Sequence, residues 1–381
     1  MMLKITLRYM LLCQCVYRPE PFSVTIHRLH ITQFRNLDQV SLEPSPHVNI
    51  IHGKNGSGKT NILEAIFFLT HGRSYKASKN ASLVQRESAF ATVFANIGDS
   101  QLPVGIQRDA SGSTEVRIAG EAVTAISELA SLVPLQFIHS EAFQILEGSP
   151  KYRRQFIDWG VFHVEHAFIS AWRNTQKALK NRNTLLRSGR MDANELASWN
   201  QEFVSNANLV DQARSRYLEG FKQNFNELID QFSDLPKIDI SYSRGWDKTK
   251  TLDEVLADSL IRDKKSGFTH SGPQRADIRV RVDKENVSDI LSRGQQKMVV
   301  SAMKLAQGHY LIKSKQQKRC IYLLDDLPAE LDSEHLLKIC RVLEAMDAQV
   351  FISCIDPKVL EDCWEDKQKV KMFHVEHGVL S

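Results

Sequence analysis

The stretch that most constrains this chain is a glycine-rich octapeptide that matches the pattern G-x-x-x-x-G-K-[ST]: Gly53, Lys54, Asn55, Gly56, Ser57, Gly58, Lys59 and Thr60. The β-branched segment 48–51 before it predicts a strand, and the apolar run 61–69, closed by Gly72, predicts a helix. Glycine lets the backbone turn its N–H groups towards an anion, and the helix directs the positive end of its dipole at the same point. The order strand, glycine-rich turn, helix therefore predicts a phosphate-binding loop.

Two side chains at the end of the octapeptide supply charge and a metal ligand. We expect Lys59 to contact the β- and γ-phosphates of ATP and to assist catalysis, and the Thr60 hydroxyl to bind Mg²⁺. A glycine-rich turn with a solvated lysine is the structural alternative, and the flanking strand and helix argue against it.

Composition places the chain among globular proteins. Its 381 residues suffice for two subdomains, and 42% are hydrophobic and 25% charged. The net charge is +4, from 49 Lys plus Arg against 45 Asp plus Glu, an excess that is compatible with nucleic-acid binding without requiring it. Six cysteines without paired C-x-x-C motifs fit a reducing compartment, and no apolar run approaches the roughly 20 residues of a membrane span. We expect a cytoplasmic protein.

Residues 1–22 differ in pattern from the rest of the chain. A short apolar region is interrupted by Arg8, no small-residue cleavage site comes after it, and Pro19 and Pro21 separate it from regular alternation. We therefore expect a disordered tail, or upstream sequence wrongly included ahead of a start near Val24, rather than a secretory signal.

Periodicity divides the rest of the chain. Alternation predicts strands at 24–31, 39–42, 90–97, 102–108, 114–118, 236–242 and 276–282. From about 151 to 232 the period is helical, and a break at Ser188-Gly189 predicts two long antiparallel helices. The polar face of the first is basic, with Lys177, Lys180, Arg182, Arg187 and Arg190. Such a run is usually a solvated surface, and contact with nucleic acid is the alternative.

A second anion-binding motif lies far downstream. The stretch Leu291–Lys297, with the sequence L-S-R-G-Q-Q-K, opens a predicted helix at 298–307. Ser292 and Gly294 thereby lie at a helix start, whose free N–H groups suit a phosphate. The string L-S-x-G-Q is a weak signal alone and gains weight from its position between the other two motifs.

A carboxylate motif completes the series. The apolar run 321–324 predicts a buried strand that ends in Asp325 and Asp326. This is the Walker B arrangement, in which Asp325 would hold Mg²⁺ and Asp326 would orient or deprotonate the attacking water.

In this order the motifs resemble the ABC-type ATPases of the SMC/Rad50/RecF group, and more closely the RecF family of bacterial recombination-repair ATPases, over essentially residues 23–381. The supporting stretches are 33–37 (QFRNL), 53–60, 71–74 (HGRS), 151–154 (KYRR), 272–277 (GPQRAD), 291–297 and 323–332 (LLDDLPAELD). Only 233 residues separate Lys59 from Ser292, which leaves room for a helical lobe but not for a long SMC or Rad50 coiled coil.

The resemblance implies an α/β fold, an ABC-type P-loop ATPase head with an inserted antiparallel helical lobe. We expect the head to comprise residues 23–149 and 236–381, and the lobe residues 150–235. In this class ATP and Mg²⁺ lie between two heads, so the phosphate loop of one subunit would face Ser292 and Gly294 of the other in an ATP-dependent C2 homodimer. The turn at 330–332 would lie at this interface as the D-loop.

The resemblance also implies a role in repair. A RecF-like protein would bind duplex, gapped or junction DNA, act with RecR and RecO to load RecA, and hydrolyse ATP weakly as a switch. Closing the dimer would gather basic side chains around the DNA backbone. The candidates are Arg73, Lys76, Lys79 and the basic face at 177–190.

Departures from the family pattern limit the expected activity. Gln274 stands in place of a usual His, and Asp326 replaces the catalytic Glu of most ABC enzymes, so turnover should be slow. No switch His follows the apolar segment 349–354, which argues against a transporter subunit. A Q-loop glutamine is expected within 134–138, where Gln136 is the candidate. A nucleotide-binding scaffold without hydrolysis, or an SMC/Rad50-like or transporter-type ATPase subunit, remains the alternative.

Overall fold

A computed structural model of the protein describes residues 24–76, 83–188, 192–232, 235–315 and 319–380. The strands are β1 Ile26–Phe34, β2 Leu37–Leu42, β3 Val48–His52, β4 Phe90–Ile97, β5 Leu102–Asp109, β6 Thr114–Ile118, β7 Glu121–Val123, β8 Leu135–Ile138, β9 Ile238–Ser243, β10 Asp277–Val282, β11 Glu285–Asn286, β12 Ile321–Leu324, β13 Gln349–Cys354, β14 Val370–Glu376 and β15 Val379–Leu380.

The helices are α1 Lys59–His71, α2 Ile126–Leu132, α3 Gln144–Glu147, α4 Pro150–Val164, α5 Phe168–Arg187, α6 Ala193–Ile229, α7 Leu252–Ser266, α8 Val287–Ile290, α9 Arg293–Lys315, α10 Leu327–Glu330, α11 Ser333–Ala345 and α12 Lys358–Glu361. Short 3₁₀ turns lie at Ser140–Phe143, Pro273–Arg275 and Lys367–Lys369. The expectations for residues 1–22, Lys79 and Arg190 fall outside the described residues.

Two six-stranded sheets form the head. One has the order β15-β14-β3-β13-β12-β8 and is parallel except for β15, and the other is antiparallel with the order β2-β1-β4-β5-β6-β7. The inner parallel strands are apolar on both faces, as a sheet covered on both sides requires, whereas β4 and β5 alternate buried and half-exposed residues. The α/β head expected from the sequence is confirmed.

The phosphate-loop helix lies between the two sheets. Successive residues of a strand point to opposite faces, so Ile51 packs with Leu63 of α1 and Val93 of β4, whereas Ile50 packs into the core on the other face. That second core includes α6 and α9 and joins the head to the helical lobe. The parallel sheet therefore carries α1 on one face and the signature helix on the other.

The long helices α5 and α6 are antiparallel, as predicted. Arg182 contacts Asn200 near one end of the pair, and Arg216 contacts Glu165 near the other. Helix α7 was not predicted, although its start at Thr251 has the capping-box spacing T-x-x-E, and the Thr251 hydroxyl accepts a hydrogen bond from the Glu254 N–H. The strands predicted at 236–242 and 276–282 are present as β9 and β10, and they form a separate three-stranded sheet with β11.

The structure corrects the prediction for Arg182. It was assigned to the solvated basic face of α5, but its side chain is fully buried and its Nη1 donates to Asp263 Oδ2 over 3.0 Å. The cause is the neighbouring helix α7, which covers that part of α5 and supplies the carboxylate. Lys177, Lys180 and Arg187 are exposed, as expected of a polar face.

The Q-loop expectation for Gln136 is also wrong. Gln136 lies in the middle of β8, is 1% exposed, and its Nε2 donates to Gln307 Oε1 over 3.0 Å. Gln307 in turn donates to the Phe156 carbonyl, so this amide pair links the sheet to α4 and α9. Its neighbours Leu135 and Phe137 face the opposite core, and the period of two places Gln136 on the lobe side.

Candidate nucleotide site

The phosphate-binding loop connects β3 to α1, and its shape depends on glycine. Gly58 precedes the helix with φ 119°, and Gly53 at the loop start has φ 152°. A Cβ at Gly53 would lie 2.2 Å from the Val375 carbonyl oxygen, so β14 approaches the loop too closely for a side chain. The Lys59 ammonium is 7% exposed and donates to the carbonyls of Gly53 and Lys54 over 2.8 and 2.9 Å, which holds it across the loop.

The Walker B carboxylate lies beside the first turn of α1. The parallel register aligns the ends of β12 and β13, and Asp325 follows β12 directly. Its Oδ1 accepts hydrogen bonds from the Thr60 hydroxyl and from the Ser353 hydroxyl, each over 2.9 Å. The structure thus brings Lys59, Thr60 and Asp325 together, as the motif spacing predicts.

Asp326 has an unusual backbone conformation. Its φ is 54°, in the left-handed region that Asp tolerates better than most residues, and its N–H donates to Ser353 Oγ over 2.8 Å. Partial burial raises the pKa of its carboxyl, the adjacent negative charge of Asp325 raises it further, and Lys59 opposes the shift. A carboxylate with a raised pKa is a better proton acceptor, which is the property a general base needs.

Three polar residues around Asp325 were not singled out from the sequence. Ser353 ends a buried strand next to β12, and the shared carboxyl edge of parallel strands is the signal that could have found it. The Tyr75 hydroxyl donates to Asp325 Oδ2 over 3.3 Å, and burial raises the pKa of Tyr75. His139 packs on the Tyr75 ring at 4.9 Å, and burial lowers the pKa of His139 to about 3, so its imidazole is neutral.

An ion pair fixes the helix α1 that follows the phosphate-binding loop. Arg35 donates two hydrogen bonds, of 3.1 and 2.9 Å, to the fully buried Glu64 carboxylate of α1. The Ser74 hydroxyl donates to the same carboxylate over 2.5 Å, so the loop after α1 is tied to its helix. The pair is bidentate and therefore fixes orientation as well as distance.

The C-terminal hairpin closes the outer side of the loop. The Gly378 N–H donates to the Ser57 carbonyl over 2.8 Å, and Gly378 has φ 81°. A Cβ there would lie 2.3 Å from the Asn36 carbonyl oxygen. Asn36 accepts a hydrogen bond from Asn61 of α1 over 2.7 Å, so the turn between β1 and β2, helix α1 and the hairpin meet around the phosphate loop.

The signature motif has the geometry of a helix start but lies outside this cluster. The Ser292 hydroxyl accepts from the Gln295 N–H over 3.3 Å, and Gln295 Oε1 accepts from the Ser292 N–H over 3.0 Å, forming a capping box. Ser292 and Gly294 are exposed, and within the described residues neither bonds to the phosphate loop or Asp325. Lys297 forms an ion pair with Glu330, which joins the signature helix to the D-loop turn.

The residues present fit a magnesium nucleotide. The Ser57 hydroxyl is buried in the loop without a hydrogen-bond partner, and Lys59 uses two of its three N–H groups. The described residues contain no group of three or more His, Cys, Asp or Glu side chains that could hold a metal alone. A site with Thr60 and Asp325 suits Mg²⁺, because this ion usually binds one or two protein oxygens together with substrate phosphates and water.

Comparison with known proteins agrees with this architecture. The family model described as "RecF/RecN/SMC N terminal domain" matches residues 25–381. The protein named "DNA replication and repair protein RecF" from Stutzerimonas stutzeri is 46% identical over 364 residues, covering 94% of this chain and 97% of that protein. The protein of the same name from Pseudomonas aeruginosa is 45% identical over 361 residues, covering 94% and 98%.

Solved structures show the same fold. A structure of the recombination mediator protein RecF with ATP in the RecFOR pathway has a TM-score of 0.82 and 22% identity, covering 96% of this chain and 99% of that one. An Smc head bound to the C-winged helix domain of ScpA has a TM-score of 0.56 and 17% identity, covering 94% and 96%.

The fold and the arrangement of motifs define an ABC-type ATPase head of the RecF/RecN/SMC class. Within that class, the chain belongs to the RecF family of DNA replication and repair proteins. None of the described helices is long and apolar enough to cross a membrane.

Proposed function

We propose that this chain is an ATP-gated DNA-binding protein of recombinational repair with a weak ATPase activity. The observation that carries the proposal is the hydrogen bond between Thr60 and Asp325, two side chains that would bind Mg²⁺ next to Lys59. The family and the ATP complex of the structurally similar RecF support ATP as the nucleotide.

We assign phosphate binding, Mg²⁺ binding and activation of the attacking water to different residues of the site. The N–H groups of the loop and Lys59 would hold the phosphates, and Thr60 and Asp325 would hold Mg²⁺, which supplies positive charge against the β- and γ-phosphate oxygens. Asp326 would orient and deprotonate the attacking water. Its side chain is one methylene shorter than the usual Glu, so its reach is smaller and turnover should be slow.

Half of the site is missing from a single subunit. The exposed Ser292 and Gly294 begin a helix of 23 residues, whose N-terminus is a second anion cradle. A C2 dimer would bring this cradle against the γ-phosphate held by the partner, twice per dimer. ATP would then stabilise the dimer because it binds the closed form more tightly than the open one.

DNA would bind to basic surface gathered by dimer closure. Arg73 and Lys76 are exposed on the loop that follows α1, close to Asp325, and Lys177, Lys180 and Arg187 are exposed on the lobe. By the same family relationship we propose gapped or junction DNA as the target, and RecR, RecO and RecA as partners in loading RecA. These partners rest on the RecF relationship and not on a surface of this chain.

Light scattering with and without Mg-ATP tests the ATP-gated dimer. We expect the mass to double with ATP for the wild type and not for Ser292→Arg, whose long cation blocks the interface. Ser198→Arg, on an exposed site of α6, is the matched control and should dimerise normally. A mass that does not depend on nucleotide would refute the model.

Phosphate release separates the ATPase from the alternative of a scaffold that never hydrolyses. The wild type should release phosphate slowly, and Asp326→Asn should lose that activity while it still binds ATP. Release by both proteins that is no higher than the background without protein would favour the scaffold. DNA affinity should fall with rising salt, and a flat response would remove the backbone contacts from the proposal.

A further inference from the structure

A charged surface on the helical lobe shares Arg187 with the proposed DNA-binding surface. It consists of an exposed aromatic ring and four exposed cations from three elements, and we call it the Phe268 patch: Arg187, Lys264, Lys265, Phe268 and Arg275. Phe268 is 38% exposed, so part of its ring is accessible to a partner. None of the four cations forms an ion pair with a carboxylate of the described residues.

Residues of the Phe268 patch that are distant in sequence lie close together in the structure. The Arg275 guanidinium carbon lies 5.6 Å from the Phe268 ring centre, and the His270 ring lies 4.2 Å from it. A Cβ placed on Gly267 would be 2.8 Å from Arg187 Cγ, so the end of α5 packs against this loop. Lys264 and Lys265 also compensate the dipole at the end of α7, but Arg187 and Arg275 come from other elements.

A buried polar network holds the loop from inside. Arg182 Nη1 donates to Asp263 Oδ2 and to the Thr269 hydroxyl over 3.0 and 2.6 Å. Asp263 Oδ1 accepts from the His270 N–H over 3.2 Å, and the His270 Nδ1 lies 2.8 Å from the same oxygen. The residues that flank Phe268 on its C-terminal side are therefore tied to an ion pair of which both side chains are 0% exposed.

Burying the Arg182–Asp263 pair carries a desolvation cost, so its contribution is to fix the conformation of the loop rather than to add stability. Burying a carboxylate and a guanidinium removes both from water, and an apolar pair of similar size would often stabilise a fold equally well. What an ion pair adds is a single geometry, because each oxygen and each N–H has a fixed partner. The network therefore orders the loop before any partner arrives, and such preorganisation lowers the entropic cost of binding.

We propose that the Phe268 patch is a contact surface for single-stranded nucleic acid, with an unpaired base stacked on Phe268 and phosphates held by Arg187, Arg275 and the two lysines. An exposed aromatic ring beside exposed cations is the combination that binds single strands without sequence preference. A duplex hides its base faces in the stack, so it would use only the cations. The proposal needs neither ATP nor a second subunit, and it adds a single-strand contact to the DNA-binding role.

The test is fluorescence anisotropy of labelled oligothymidylate and of a duplex of equal length, without nucleotide, on the full chain. Phe268→Leu should weaken binding to the single strand by about tenfold, within the range of one base–aromatic stack, and leave duplex binding unchanged. Phe268→Trp keeps an aromatic ring and should bind the single strand as tightly as the wild type does. Phe90→Leu is the matched control, because Phe90 is 43% exposed on the antiparallel sheet, and it should have no effect.

Salt titration tests the cations. Arg187→Gln together with Arg275→Gln should reduce the slope of log affinity against log salt by about 1.4 for the single strand. Lys284→Gln, an exposed lysine on the turn between β10 and β11, should leave the slope unchanged. Circular dichroism spectra matching the wild type would show that the variants fold.

The outcomes separate this inference from the broader proposal. If the wild type binds DNA but Phe268→Leu behaves as Phe90→Leu does, the Phe268 patch has no stacking role and the inference fails. If polyglutamate binds the wild type as tightly as the oligonucleotide and Phe268→Leu binds both normally, binding reflects general attraction of polyanions by the cations, and the inference fails. If the wild type binds no DNA with or without ATP, the proposed function fails too.

Discussion

The Thr60 hydroxyl donates a 2.9 Å hydrogen bond to Asp325 Oδ1, joining two motifs that lie 265 residues apart in the chain. The bond aligns the first turn of α1 with the end of β12, and the Ser353 hydroxyl contacts the same oxygen. The Thr60 hydroxyl donates its proton in this hydrogen bond, so the lone pairs of its Oγ1 remain available to a metal. The two side chains that we propose as magnesium ligands are therefore already next to each other without nucleotide.

Thr60→Val removes this hydroxyl and keeps the shape of the side chain. Because a hydrogen bond to a charged group contributes about 1.5–3 kcal/mol, we expect Mg-ATP affinity to fall by roughly tenfold or more. Calorimetric titration with Mg-ATP measures the loss. Thr184→Val, on an exposed site of α5, should bind Mg-ATP as the wild type does. Unchanged affinity in Thr60→Val would contradict the assignment of Thr60 as a metal ligand.

Asp326→Asn should make the protein more stable at neutral pH. Its folded pKa is raised, so ionisation of Asp326 favours the unfolded chain, and the wild type loses stability as pH rises through the unfolded value of about 4 towards the folded value. Asparagine removes this penalty. The variant should melt at a higher temperature than the wild type at pH 7, and the difference should vanish in acid, where Asp326 is protonated in both states. A lower melting temperature at pH 7 would contradict the raised pKa.

The buried pair Arg182–Asp263 gives a prediction on stability. Asp263→Asn leaves the guanidinium uncompensated in the interior, and we expect a loss of about 3–5 kcal/mol in the free energy of unfolding by urea. The exposed pair Lys250–Asp258 is the control, and Asp258→Asn should change stability by roughly 1 kcal/mol or less. Similar effects of the two substitutions would show that Arg182 reaches solvent.

Gly378→Ala tests the hairpin that closes the phosphate loop. Alanine at a positive φ costs roughly 1–2 kcal/mol, and at Gly378 its Cβ would also meet the Asn36 carbonyl. We expect lower stability and weaker Mg-ATP binding, since the Gly378 N–H holds the Ser57 carbonyl. Gly112→Ala isolates the conformational cost, because Gly112 has φ 96° and nothing within 4 Å of its Cβ position. If both variants bind Mg-ATP normally, the hairpin does not support the loop.

The fold was largely predictable wherever the signal was local. The meander strands at 90–97 and 114–118 and the helix that ends before Gly72 match the structure, because alternation and helical period are properties of neighbouring residues. Helix α7 was missed despite a capping box at its start, since its apolar face is short. The sequence predicted the strands β9 and β10 but not their pairing into a small separate sheet, because strand partners are chosen by tertiary contacts.

The candidate site was predictable only where its residues belong to local sequence motifs. Lys59, Thr60, Asp325 and Asp326 belong to motifs with fixed spacing, and the structure places them together. Ser353 and Tyr75 carry no local signature, and only the parallel register and the fold of the loop after α1 bring them to Asp325.

The sequence by itself determined the order of motifs, the α/β class and the antiparallel helices, because glycine spacing and hydrophobic period act over a few residues. Only the tertiary structure decided which polar residues lie inside. Arg182 was expected on a solvated face and Gln136 was the Q-loop candidate, and each is buried against a partner from a distant element, Asp263 and Gln307. Whether a polar side chain is buried depends on which element covers its face of the helix or strand. That covering element is chosen by packing between segments that are remote in the chain.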